Sequence, residues 1–338
     1  MPEDQANKHS AFYFNDGSIV LRVENVLFKV HSSILGRHSE VFRDLVEVPQ
    51  PNDCEEVDGC PVVDLQDDVE EFTDTLGAIY DPFHFDAIDS QSSLNTLLNA
   101  LSGILRISTK YNMDQLRKKS IRLLEAKFPS TLDGCISLLK SQFRYDSKDI
   151  VRIITLAGRT NVPSVLPWAY YLCTHMGVDD ILKNNVLTWE DKALCLAGKE
   201  KLWQALMKHS HSFLFRFTPS PQCNGNCATK MSMMLSSGQS SSINPYTLQP
   251  NPSSANTSSS ASTMGGKFCL TWRDAEELRT SPHPLEEYAD WASWRHVCSK
   301  CSSHLTTMHK EGRERVWKEL PTYFNLGSWD EIQRDQTS

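Results

Sequence analysis

Residues 27–42 read Leu27-Phe28-Lys29-Val30-His31-Ser32-Ser33-Ile34-Leu35-Gly36-Arg37-His38-Ser39-Glu40-Val41-Phe42. The stretch changes period halfway along. Leu27 to Val30 is a short apolar run of strand type, and from Ser32 the apolar residues recur at helical spacing: Ile34 and Leu35, Val41 and Phe42, then Leu45. Upstream, Ile19, Leu21 and Val23 alternate with Val20, Arg22 and Glu24, the pattern of a half-buried strand. Glu24-Asn25 makes a turn into the next strand. Downstream, Pro49, Pro51, Asn52 and Asp53 end the helical stretch, and Pro61 to Leu65 is a further short strand. Residues 67–80 return to a helix with Val69, Phe72, Leu76 and Ile79 on one face. The clearest helix covers 92–110, because Leu94, Leu97, Leu98, Leu101, Ile104 and Leu105 all fall on one stripe. Asp114 is placed to cap the next helix, which carries Leu116, Ile121, Leu123 and Leu124 and stops before Pro129.

This order over residues 12–128 carries a motif, Phe28-x-Val30-His31-x-x-x-Leu35 followed by Ser39-x-Val41-Phe42, then Val63-Asp64-Leu65, Phe72 to Tyr80, and a leucine helix ending Ser108-Thr109-Lys110-Tyr111. It resembles the BTB/POZ domain, in particular its single-chain fungal versions. Trp189-Glu190-Asp191-Lys192-Ala193-Leu194 is similar to the helical region C-terminal to the domain in those proteins. The resemblance implies an α+β domain, a small sheet packed against helices, that binds other proteins or a second copy of itself. It implies that His31 belongs to the fold and is no catalyst; as a helix-start histidine it is expected to bond to backbone. Ser39 is expected to be a local backbone partner or cap. Many relatives link substrates to cullin-type ubiquitin ligases or recruit corepressors. Two departures bear on that. The aspartate that supports the dimer of zinc-finger-associated members falls on Ser18, with Asp16 two residues earlier. The apolar-x-Glu motif of cullin adaptors falls on Pro51-Asn52-Asp53, while Leu45-Val46-Glu47 has the right residue types too early.

Beyond position 128 the pattern is helical. One helix covers 148–159, one starts near Pro163 at a favourable first-turn proline, and one starts at Thr188, where Thr188 and Asp191 resemble a capping box. Residues 231–266 hold no charged residue, and eleven of the 31 residues from Ser236 to Gly266 are serine. Such a segment buries too little apolar area to offset its ordering entropy and is expected to be a disordered insertion. Patterned sequence resumes with Leu285, Tyr288, Trp291 and Ala292 at helical spacing, then Val316, Trp317 and Leu320, and an aromatic tail from Pro321 to Trp329. The organisation expected is a BTB/POZ-like domain at 12–128, a helical domain at 129–230, the insertion at 231–266 and a C-terminal helical segment at 267–338.

The 338 residues include 34 Lys plus Arg against 42 Asp plus Glu, a net charge of −8. An acidic chain without a dominant basic stripe repels phosphate backbones, so no nucleic-acid partner is expected. There is no membrane-spanning apolar run and the polar first ten residues lack a secretory layout, so an intracellular chain, cytoplasmic or nuclear, is expected. Its cysteines are then buried apolar residues or metal ligands rather than disulfides. Cys135, Cys173 and Cys195 sit at apolar helical positions and read as core.

Cys223-Asn224-Gly225-Asn226-Cys227 and Cys298-Ser299-Lys300-Cys301 are two short Cys-to-Cys loops on either side of the insertion. Such loops present two thiolates to one ion, and two of them make the four soft ligands a structural zinc prefers. Cys223, Cys227, Cys298 and Cys301 are the candidate ligands. His304 or His309 could stand in for one, and Cys269 between Phe268 and Leu270 reads as a strand cysteine. A redox C-x-x-C site and four unconnected cysteines are the other readings. Trp291, Trp294, Trp317 and Trp329 read as the core of a small subdomain around the ion, or else as a ligand cage. No phosphate-cradling loop, H-E-x-x-H or G-x-S-x-G is present, so no catalytic residue is assigned and the chain is read as a non-enzymatic interaction protein.

Overall fold

The computed structural model describes residues 7–47, 55–88, 92–140, 145–230, 279–289, 291–294 and 296–337. The expected insertion at 231–266, Cys269 and Pro51 to Asp53 lie outside them. The chain is α+β: a small five-stranded sheet at the N-terminus, then helices.

The sheet contains β1 (Asn7–Tyr13), β2 (Ile19–Val23), β3 (Val26–Val30), β4 (Glu56–Val57) and β5 (Cys60–Leu65), in the order β1-β3-β2-β5-β4. β2 and β3 form the expected hairpin, with Glu24 in the left-handed region at the turn. β5 lies parallel to β2 on its other side. The two strands joined in parallel require a crossover, which α1 (Ser32–His38) and α2 (Glu40–Glu47) supply. Two strands lie outside the expected set. β1 runs parallel to β3, and β4 joins β5 through Asp58-Gly59, both with positive φ as a tight hairpin turn needs. β2 is buried on both faces. Ile19, Leu21 and Val23 face the helices, while Val20 packs with Leu27 and Cys60 on the far side.

The single helical stretch expected from Ser32 to Leu45 is two helices. Ser39 breaks it in extended conformation. Its Oγ accepts the Phe42 N–H at 3.1 Å and donates to the Tyr111 carbonyl at 2.5 Å, so it caps α2 and ties it to a distant loop. His31 does start α1, its carbonyl accepting from Ile34 and Leu35, but the partners of its ring are side chains rather than backbone. Nε2 faces Asp16 at 3.3 Å, and Nδ1 and the backbone N–H both meet the Tyr80 hydroxyl at 3.1 Å.

α3 (Val69–Tyr80), α4 (Leu94–Lys110) and α5 (Asp114–Glu125) come next. Asp68 caps α3 through the N–H groups of Glu70 and Glu71. Asp114 does not cap α5; the cap position is Met113, and Asp114 lies in the first turn, where its charge complements the helix dipole. α4 has two buried faces. Ile104 and Ile107 enter the core shared by the sheet, α1, α2 and α3. Leu94, Leu97, Leu98, Leu101 and Leu105 enter a second core with residues as distant as Leu320 and Phe324. Packing therefore runs continuously across position 128.

The second core is built by α5, α6 (Leu132–Lys140), α7 (Ser147–Thr160), α8 (Leu166–Cys173), α10 (Trp189–Ala205) and α12 (Ser299–Tyr323), with the short α9 (Val178–Lys183) beside them. The Thr188–Asp191 capping box forms, and Cys135, Cys173 and Cys195 are fully buried. α10 runs into a π turn at Leu206–Ser210 and then α11 (Ser212–Phe215). α12 crosses that turn so closely that a Cβ on Gly312 would lie 2.4 Å from the His209 carbonyl oxygen.

Two C-terminal expectations change. No α-helix forms over Leu285–Ala292, where the described residues show irregular chain and one 3₁₀ turn at Trp291–Trp294. α12 claims the backbone groups a helix there would use: Arg313 Nε donates to the Leu285 carbonyl at 3.0 Å, and His309 Nε2 accepts the Tyr288 N–H at 3.1 Å. Pro321 does not end α12, which continues to Tyr323. Proline has no N–H for the carbonyl one turn back, that of Trp317. The Trp329 indole N–H takes that carbonyl at 2.8 Å, and the two indoles stack. This docks α13 (Trp329–Thr337), which opens with a capping box between Ser328 and Glu331. Among the described residues no helix is long and apolar enough to cross a membrane.

Leu101 is wholly buried. Leu101→Ala is expected to destabilise the protein by about 2–5 kcal/mol in denaturant titration. A loss below about 1 kcal/mol would mean that α4 is not packed against the helical core. Burial holds the imidazoles of His175, His211, His283 and His309 below their ordinary value of 6.5. The native state keeps them neutral while the unfolded chain binds protons, so stability falls as pH drops below about 6.5. The thermal midpoint should decline between about pH 6.5 and 5.5, and less steeply in His211→Gln.

Candidate metal centre

Two segments far apart in sequence build this site. Ser220 to Cys227 forms a turn in which Gly225 has φ +105°, a conformation that favours glycine. The Cys223 Sγ accepts backbone N–H bonds from Gly225 and Cys227, which draw its thiol down to about 6. On the other segment Cys298 is the N-cap residue of α12 and Cys301 lies in its first turn. The nearby Cys301 backbone N–H lowers the pKa of the Cys298 thiol. The positive end of the helix dipole favours thiolate at the same place.

The two knuckles meet. The four Sγ atoms lie within 4.8 Å of one another, with Cys223 and Cys298 at 4.0 Å. A zinc–sulfur bond of about 2.3 Å in a tetrahedron puts sulfurs roughly 3.8 Å apart, so closing on an ion needs a contraction of about 1 Å or less. The knuckles also bond to each other: the Cys298 N–H donates to Cys227 Sγ at 3.2 Å, and the Ser220 N–H donates to Cys301 Sγ at 3.4 Å. Cys223, Cys227 and Cys301 thus each accept from a backbone N–H, the surroundings a thiolate needs. Cys301 is the most deeply buried of the four, and burial pushes its thiol up to about 12; a bound cation would reverse that preference by displacing the proton.

The histidine alternatives separate from the site. His309 is committed on both ring nitrogens. Nε2 accepts from Tyr288, so Nδ1 carries the proton and donates to the Ser210 carbonyl at 2.6 Å. His304 is not in the ligand group; among the described residues the four cysteines are the one group of three or more metal-type ligands. The tryptophans divide. Trp294 is buried beside the cysteines with Phe213, Tyr288 and Leu305, and Trp291 packs against that cluster. Trp317 and Trp329 stack on each other in the large helical core instead. The four sulfurs are therefore carried on a small apolar cluster of their own, with no cage of four indoles. Sequence reading singled out the four cysteines that come together but not the donors from Ser220 and the knuckle backbone, which leave no residue-type signal.

No protein-family model matches the chain, and a search of the curated proteins finds no match.

Chelation should loosen residues 213–230 and 291–309 first, because binding energy at such a site is folding energy for the elements it joins. Hydrogen exchange should show protection lost there while α4 and α7 keep theirs. Cys298→Ser should reproduce the effect. Identical exchange with and without chelator would rule out a bound structural ion.

Proposed function

We propose that the chain is a non-enzymatic interaction protein that binds other proteins, or a second copy of itself, through a BTB/POZ-like N-terminal domain. The observation that carries this reading is the element order from Ile19 to Glu125: a hairpin, two short helices hinged at Ser39, a strand returning parallel to β2, then α3, α4 and α5. Phe28, Val30, Leu35 and Phe42, the residues of the resembling motif, lie in one core. His31 is tied to Asp16 and Tyr80 as a structural residue, in keeping with the role the resemblance gives it.

The metal of the cysteine group is zinc. Four thiolates within reach of one ion suit zinc among the common biological cations. Four protein ligands leave no coordination position for substrate or water, so its role is structural: it joins the turn after α11 to the start of α12.

Affinity purification of the tagged full chain under cross-linking conditions tests the reading. A stoichiometric partner or a second copy cross-linked within residues 7–125 is expected. A cullin scaffold in that position would make the chain a ubiquitin-ligase adaptor; chromatin factors would make it a corepressor-binding regulator. A monomer with no partner cross-linked to that region would overturn the proposal. Metal analysis of the same preparation should return about one zinc per chain.

A further inference from the structure

Cys173 ends α8 and Cys195 lies in the first half of α10, 22 residues on. Both are fully buried. Their sulfurs are 3.0 Å apart, with the Cys195 S–H donating to Cys173. Non-bonded carbon pairs rest at about 3.5–4.0 Å, and sulfur is larger, so these atoms are closer than ordinary packing places them. The gap to a disulfide, whose S–S bond is about 2.05 Å, is roughly 1 Å. The pair is also next to an opening. A cleft of about 610 Å³ is lined by Tyr145, Ile150, His175, Met176, Asp180 and Lys183. The Met176 sulfur is 3.9 Å from Cys173 Sγ, so Met176 links the cleft to the thiols.

We propose that Cys173 and Cys195 form a reversible disulfide when a small hydroperoxide enters this cleft. The hydrogen bond sets the order of events. Cys195 donates, and that bond together with burial raises its pKa, whereas Cys173 is the acceptor and touches Met176 of the cleft wall. The Cys173 sulfur attacks the peroxide O–O bond, which breaks. The nearer oxygen forms a sulfenic acid, and the other leaves as alcohol, or as water from hydrogen peroxide, with the thiol proton. The Cys195 sulfur then attacks Cys173, the S–O bond breaks, and hydroxide leaves as water with the Cys195 proton. Two thiols lose two electrons and two protons, and one peroxide bond is reduced. Because the reacting thiols are fully buried, the reaction is slow next to that of an exposed thiolate. Closure joins α8 to α10 around α9, the helix whose Asp180 and Lys183 line the cleft, and so fixes one wall of it.

The test treats the full chain with hydrogen peroxide, blocks remaining thiols after unfolding, and maps tryptic peptides. Peptide 160–183, with Cys173 and Met176, should become linked to peptide 193–199, with Cys195. The linked protein should melt higher than the reduced one, and dithiothreitol should reverse both changes. Cys195→Ala should leave Cys173 as a sulfenic acid that dimedone traps; if that variant does not fold, the wild-type map still decides. Met176 sulfoxide reports entry of oxidant into the cleft. Free Cys173 and Cys195, whether Met176 is oxidised or not, would overturn the proposal. So would separate sulfinic or sulfonic acids, or linkage of either cysteine elsewhere.

Discussion

Helix α4 is the constraint on which the rest of the structure depends. A surface helix needs one apolar stripe, but α4 is buried on two sides, and each side closes a different core. Ile104 and Ile107 complete the one formed by the sheet, Phe42 and Phe72. The leucines complete the one that runs through α7, α8 and α10 to Phe324. Fully burying a leucine contributes about 1.5–3 kcal/mol, so the leucine stripe alone rivals the net stability of an ordinary domain, about 5–15 kcal/mol. α3 must also come close: a Cβ on Gly103 would stand 3.0 Å from the Glu71 Cα, and Glu71 pairs with Arg106 one turn on. The N-terminal sheet and the helical region are for this reason one packed body along α4.

The C-terminal region is held by a different device. Its chain from Ser281 to Tyr288 is irregular; the Glu286 N–H reaches the His283 carbonyl, but the stretch has no repeating ladder, so other backbone groups need partners from elsewhere. α12 provides them. Arg313 takes the Leu285 carbonyl, and His309 bridges the Tyr288 N–H and the Ser210 carbonyl of the π turn. His309 can do both only as the neutral imidazole with its proton on Nδ1, and burial of the ring holds it neutral. One histidine thus joins three stretches of chain, and its lowered pKa comes from the same burial.

The range of the interaction that decides each feature sets how legible that feature is in the sequence. The β2–β3 hairpin, the leucine helix, the Thr188 capping box and the cysteine knuckles are written in neighbouring residues, and they could be read. The two-faced burial of α4 was not legible, because Leu94, Leu97, Leu98, Leu101, Ile104 and Leu105 all fall on one stripe and Ile107 lies off it. Ser39 was legible as a cap but not as a break, since the apolar spacing of Ile34, Leu35, Val41 and Phe42 carries on past it. Asp58-Gly59 and the Ser328–Glu331 box are local signals too, each a short turn or cap with no apolar pattern around it to draw the eye. The loop at 281–288 was not legible from spacing, because Leu285 and Tyr288 keep a helical interval while their backbone groups are claimed by residues more than twenty positions away. The same holds for Pro321, whose effect depends on Trp329 reaching the carbonyl it leaves free.

The cysteine site shows why local signals of this kind matter to the whole. Cys227 and Cys298 are 71 residues apart, and closing a flexible loop of that length costs about 4 kcal/mol in chain entropy plus a constant. The cluster that must repay it is small: Phe213, Leu214, Tyr288, Trp294, Val297 and Leu305 with the cysteines themselves. Part of that burial is already offset by the backbone ordering of the turn at Ser220–Cys227, which has no regular secondary structure. A four-thiolate zinc site contributes about 10–16 kcal/mol at neutral pH, several times the loop term. With the proposed ion bound, metal binding rather than the apolar cluster would decide whether the turn after α11 stays against α12, while the C-terminal half of α12 is held independently by Val316, Trp317 and Leu320 in the large core.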